Sequence, residues 1–241
     1  MPMIPIEIEP LIIQISGPLA MKTGFRRGLI QQTVERDAEG FVYIPASSIK
    51  GRVRHASEQL AQRVGLDVCQ APQPGGMCSA HKKACLICRV FGAPGRASHL
   101  RWHDAHLHDD YRQTFETDLD AQVYARTQVQ LSRSLGTAVP NRLFTSEFAI
   151  EDLRFESSIA GYLEITPIDG DDSKGGYELL LLLAGLRLVN TIGGGASRGA
   201  GRCTITLPDE VKVNGNIVVW QEVLEGLDLL PNFDEEDDNG D

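Results

Sequence analysis

The chain has no apolar run approaching the roughly 20 residues a bilayer-spanning helix requires, which excludes that class of membrane protein. It also lacks the basic-then-apolar layout of a signal peptide; Ile4, Ile6 and Ile8 alternate with polar or acidic neighbours, as in a strand. A cytoplasmic protein is expected. No internal repeat and no long linker divides the sequence, so residues 1–233 read as one unit. Positive charge is scarce too. Against 33 acidic residues stand 23 lysines and arginines, a net charge of −10 that argues against a polyanionic partner. The average misleads, because residues 234–241 supply six of those acids and leave the body at −4. That tail is expected to be a disordered, solubilising end.

With 42% apolar residues, the 241-residue chain can bury a substantial core. Its most informative segment is 193–202, Gly-Gly-Gly-Ala-Ser-Arg-Gly-Ala-Gly-Arg, with five glycines, two arginines and no acid. Glycine allows positive φ and close approach of backbone N–H groups to an anion, and Arg198 and Arg202 add forked donors. The segment reads as a phosphate cradle or, more plainly, as a packed turn. Its spacing matches neither Gly-x-Gly-x-x-Gly nor Gly-Lys-Ser/Thr, so a mononucleotide cofactor is not expected.

Strands are expected at 4–15, 41–44, 98–107, 128–131, 144–150, 161–167, 178–183 and 203–207. A polar loop over 17–40 precedes a helix capped by Ser47 or Ser48 and running to about Val64, with Ile49, Val53, Leu60 and Val64 on one side. A second helix is expected near 182–190. The class is α+β with mostly antiparallel strands. Lys50, Arg52 and Arg54 lie in the first helix's opening turns, where the macrodipole disfavours cations. Either an anion sits at that end or the cations form a solvated surface.

Residues 65–98 have no regular periodicity but hold four of the five cysteines. Cys85 and Cys88 form a C-x-x-C pair, Cys78 follows as the third ligand, and Cys69 and His81 compete for the fourth place of a tetrahedral structural zinc site. Free buried thiols are the alternative, and Cys203 is assigned to them outright. His99, His103, His106 and His108 read as polar surface or RNA-contact residues rather than as ligands.

Three segments occur in order: residues 44–54, Ile-Pro-Ala-Ser-Ser-Ile-Lys-Gly-Arg-Val-Arg; residues 85–92, Cys-Leu-Ile-Cys-Arg-Val-Phe-Gly; and residues 193–202. Together they resemble the RAMP proteins, specifically the backbone subunits that polymerise along the guide RNA of type III CRISPR effector complexes. The likeness covers nearly the whole chain. Thr127–Arg133, with Gly136-Thr137-Ala138 and Leu143-Phe144, is similar to the family's thumb hairpin. The resemblance implies a modified ferredoxin-like or RRM-like domain with a zinc-stabilised insertion at 65–98 and a thumb region at 115–150. It implies that Ser47, Ser48, Lys50, Arg52 and Arg54 meet the guide backbone beside Gly193, Gly194, Gly195, Ser197, Arg198 and Arg202. Arg126, Gln128 and Arg133 would lie on or near the thumb, and Lys22, Arg26 and Arg27 would hold target RNA. The implied partners are guide RNA, target RNA and other RAMP and effector subunits.

Relatives that cut target RNA carry an aspartate six residues before the acidic residue that precedes the Ile-Pro-x-Ser-Ser segment. Counting back from Asp37 gives Gln31, which neither takes a proton nor holds a divalent cation as a carboxylate does. A guide- and target-binding subunit without cleavage is therefore expected. The alternative is a Mg²⁺-dependent endoribonuclease using Glu35 or Asp37. A second alternative, a zinc-stabilised scaffold binding only proteins, would show no salt-dependent RNA affinity.

Overall fold

The computed structural model describes residues 3–69, 71, 73–78, 84–168 and 175–233. In chain order its elements are β1 (Met3–Ile15), β2 (Tyr43–Ile44), α1 (Ala46–Arg63), α2 (Leu86–Phe91), β3 (Leu100–Trp102), β4 (Ala105–Leu107) and α3 (Asp109–Phe115). They continue as β5 (Val123–Leu131), β6 (Ala138–Ala149), β7 (Arg154–Glu164), α4 (Gly176–Leu188), β8 (Cys203–Thr206), β9 (Glu210–Val213), β10 (Asn216–Val219) and α5 (Trp220–Leu224).

β1 organises the molecule because its alternation puts Ile4, Ile6 and Ile8 in the core, and after a register shift Leu11, Ile13 and Ile15. It pairs antiparallel with β7, β8 and β9. The main sheet runs β10-β9-β1-β7-β4-β2, with β3 also on β7 and β8 also on β1; β5 and β6 form a separate two-stranded hairpin. The α+β class with antiparallel strands is thus as expected.

α1, α2 and α4 form a contiguous layer over one sheet face. α1 presents Ile49, Val53, Ser57 and Ala61 to the core at four-residue spacing, while Leu60 is only half-buried. Gly185 of α4 lets the two helices touch: a Cβ there would stand 2.1 Å from Ser57 Oγ and 3.3 Å from Val53.

Two expectations are corrected. Residues 178–183 are helix, not strand, and the helix expected near 182–190 starts at Gly176. Every residue from Gly176 to Leu186 is buried. A run apolar on all sides carries no periodicity to separate a strand from a fully enclosed helix. Nor do Ser47 and Ser48 cap α1. The N-cap is Pro45, and the Ala46 N–H donates to Asp104 Oδ1 at 2.7 Å. A carboxylate from a distant loop thereby supplies an anion at the helix end that the sequence left open.

One buried polar cluster ties the layers together. Arg89 of α2 donates to Thr166 Oγ1 at 3.0 Å and to Glu178 Oε1 of α4 at 3.3 Å, and Thr166 N donates to Glu178 Oε2 at 2.7 Å. The Arg89 guanidinium lies 5.2 Å over the Phe233 ring. The tail 234–241 and His81 lie outside the described residues.

Candidate nucleic-acid interface and cysteine centre

The glycine-rich loop leaves α4 and enters β8. Gly193, Gly195 and Gly199 each have φ of +80° and Gly201 has +72°, which explains the composition. Much of the backbone is already engaged. Gly194 N donates to Ala20 O at 2.9 Å and Gly201 N to Pro18 O at 2.8 Å, while Arg198, Gly199 and Ala200 donate within the loop. Among the described residues the Gly193, Gly195, Ala196 and Ser197 amides have no acceptor, so an anion placed here could meet those N–H groups as well as side chains. A Cβ on Gly201 would lie 1.9 Å from the Ile192 carbonyl oxygen, a backbone atom that cannot swing aside. Gly201→Ala should cost about 1–3 kcal/mol and spread the loop, measurable as a lower melting temperature together with weaker RNA binding.

Cations converge on this loop from two other segments. Arg52 Nη2 donates to the Gly193 carbonyl at 2.8 Å. Lys22 passes Gly194 and donates to Gln32 Oε1; burial, and then the charge of Arg198, hold its pKa below the usual lysine value. Arg198, Arg202 and Ser197 are exposed. Lys50 is half-buried, its pKa lowered by burial and then by Arg54. Arg54 turns the other way, to Glu58 Oε1 and the Gly92 carbonyl, each at 2.8 Å. Ser47 and Ser48 sit in the first turn of α1, Ser47 exposed.

The hairpin closes the site from a third side. A cleft of about 160 Å³ is lined by Arg126, Gln128, Phe144 and Phe148 from the hairpin and by Gly195 and Arg198 from the loop, with no carboxylate among its lining residues. Two sequence-distant segments expected to meet RNA, the hairpin and the glycine loop, thus share one cleft. Arg133 lies beyond β5 in the turn before β6, and Arg26 and Arg27 are exposed in a turn closed by the Arg27–Ile30 backbone pair. Sequence reasoning placed Leu143-Phe144 in the thumb without naming Phe144 as a site residue and passed over Phe148; the two share one face of β6, four residues apart.

The 17–40 loop is anchored along the hairpin. Gln31 N donates to Thr145 O at 2.9 Å and Gln31 Oε1 accepts from Thr145 N at 2.6 Å. Buried Glu147 accepts from Val34 N at 2.9 Å and from Arg36 at 3.3 Å. Asp37 is occupied as well: Oδ1 accepts from Phe41 N at 2.9 Å and Glu39 N at 3.1 Å, and Oδ2 faces Arg112 at 3.5 Å and His106 at 3.6 Å. Glu35 is half-buried, its charge helping to raise the pKa of Tyr43 after the larger effect of burial.

The family model that matches this sequence, over residues 12–204, is that of the RAMP superfamily. The chain belongs to the RAMP superfamily. Members of this superfamily bind RNA and form multi-subunit complexes. No curated protein matches the chain. No helix among the described residues is long and apolar enough to cross a membrane.

This RAMP protein also carries a cysteine centre. The sulfurs of Cys69, Cys78, Cys85 and Cys88 all lie within 4.8 Å of one another. Cys69 Sγ is 3.1 Å from Cys88 Sγ and 3.6 Å from Cys85 Sγ, too far for a disulfide at about 2.05 Å. Four thiolates at about 2.3 Å from a zinc ion would stand about 3.8 Å apart, so the donor set fits one tetrahedral metal. Cys69 completes the set of four. Cys85 N donates to Cys78 Sγ at 3.4 Å, and Arg54 Nη2 faces Cys88 Sγ at 4.0 Å, the kind of outer contact that steadies thiolate ligands. A hydrogen bond from Cys88 pulls the Cys85 thiol below the usual cysteine range. Cys203 stays a core thiol, pushed up to about 11 by burial.

Proposed function

We propose that this protein is a guide-RNA-binding backbone subunit of a type III CRISPR ribonucleoprotein, recognising target RNA through guide–target pairing and not cutting at its own site. The observation that carries the reading is the convergence of Lys22, Arg52 and Arg198 on the glycine loop, with Arg198 facing Arg126 and Gln128 across a cleft lined by no carboxylate. Such an array suits a sugar-phosphate backbone and reads no base identity, which pairing supplies. The β5–β6 hairpin takes the role of the thumb, standing against the strand with Gln128 and Arg126 at its base. The cysteine centre holds a structural zinc; with four protein ligands it keeps no open position for catalysis, and when bound it orders the chain around α2.

The test is guide-RNA affinity against salt. Lys22→Ala and Arg198→Ala should each weaken binding roughly tenfold and reduce the slope of log affinity on log salt by about 0.7 per lost phosphate contact. Affinity indifferent to salt and to these variants would favour a scaffold that binds only proteins. In the reconstituted complex with Mg²⁺, the intact subunit should leave target RNA uncut opposite its own site. A cut there that disappears with Glu35→Ala would overturn that part, whereas Gln31→Asp should introduce a cut by restoring a carboxylate at that position.

A further inference from the structure

The four histidines that follow the cysteine segment have no part in the proposed function, and the structure divides them. His106 faces Asp37, and His108 engages Arg154 at 2.8 Å. His99 and His103 are exposed, and among the described residues their imidazoles have no hydrogen-bond partner; the same holds for the guanidinium of Arg101 between them. The three border a cleft of about 570 Å³ on the sheet face opposite the helical layer, with Ala160, Gly161 and Tyr162 of β7 on its other side.

Register explains its shape and charge. Arg101 lies directly opposite Ala160, whose methyl leaves a low shelf, and Tyr162 rises at the end of that shelf, half exposed. Two carboxylates beside the Ala160–Tyr162 side of the cleft are paired with cations. Glu7, across β1 from Ala160, binds Lys212 at 2.8 Å, and Glu164, two residues beyond Tyr162, binds Arg96. No carboxylate lines the cleft itself, so Arg101 sets its charge; Glu9, Asp104 and Glu156 line a neighbouring cleft that shares His103.

We infer that this cleft is a second RNA site, separate from the glycine loop, which takes one nucleotide of a single strand. The base lies on the Ala160–Gly161 shelf against the Tyr162 ring, and its phosphate meets Arg101 with His99 and His103 as flanking donors. The volume lies in the range of roughly 300–1,000 Å³ of small-ligand sites. An aromatic ring beside a shelf suits a nucleobase better than an acidic peptide, which needs cations but no stacking platform.

The experiment is ultraviolet crosslinking of the full chain to a tetraribonucleotide carrying 5-iodouridine, too short to serve as a guide, with the labelled peptides identified by mass spectrometry. Tyr162 should be labelled, and Arg101→Gln, which exchanges an exposed residue, should reduce that labelling roughly tenfold. Lys22→Ala should leave it unchanged while weakening labelling at the glycine loop, so that the two sites fail separately. Labelling confined to the glycine loop and hairpin, or labelling of Tyr162 indifferent to Arg101→Gln, would overturn the site. So would finding Tyr162 crosslinked to a protein neighbour instead of RNA in the assembled complex.

Discussion

Replacing Cys85 with serine is expected to lower the melting temperature of the isolated subunit by roughly 10–20 °C. Structural zinc contributes about 10–16 kcal/mol in small zinc domains; losing even about 5 kcal/mol corresponds to that shift at about 2–4 °C per kcal/mol in a chain of this size. The effect is large because Cys85 caps α2 while Cys69 and Cys78 come from the irregular segment before it, where little apolar packing could compensate. A strong chelator should reproduce the shift in the natural chain and do nothing further to the serine variant. Elemental analysis should give one zinc per chain. An unchanged melting temperature after chelation would reduce the centre to four packed thiols.

Glu178→Ala should cost about 3–5 kcal/mol at pH 8, seen as a fall in melting temperature of roughly 10 °C or more, since it strips a buried guanidinium of its carboxylate. Glu178 is fully buried and also accepts the Thr166 N–H, so the loss reaches β7's exit, α2 and α4 at once. Burial pushes its carboxyl up to about 7, against the opposing pull of Thr166 and Arg89. Between an unfolded value near 4.5 and that folded value, the folded chain holds a proton that the unfolded chain has released. The stability this group gains from holding that proton is therefore fully present below about pH 4.5 and lost as the pH rises to 7, while its contacts with Arg89 and the Thr166 N–H remain above it. Denaturant melts at pH 5 and pH 7.5 should show the natural chain losing ground to Glu178→Gln, and a pH-independent difference would contradict the assignment.

How much of this was legible depends on how far apart the partners lie in sequence. The alternation of β1, the core side of α1 and the glycine loop declare themselves within a few residues, so they were readable. The C-x-x-C pair was too, although only the fold shows Cys69 reaching it. The first half of α4 was read as a strand, and the helix expected near 182–190 began too late, because Leu179–Leu183 has no polar face to set a period. Asp104 at the end of α1 and Glu147 beneath Val34 were illegible, since each serves a backbone N–H more than 50 residues away. The same distance kept the cleft between hairpin and glycine loop hidden: Arg126 and Arg198 were each expected at RNA separately, and only the fold makes them neighbours. Arg54 shows the converse, a cation whose local setting suggests a phosphate and whose folded partners are Glu58, Gly92 and Cys88.

The hydrogen bonds that fasten the 17–40 loop to the hairpin have an entropic consequence. A loop of that length left slack would have to surrender its conformational freedom each time a strand arrived, and affinity would suffer by that amount. Because Gln31 and Glu147 immobilise it during folding, the jaw stands already set when RNA comes. Loosening a tether, as in Glu147→Gln, would leave Lys22, Arg52 and Arg198 in the sequence and still weaken binding.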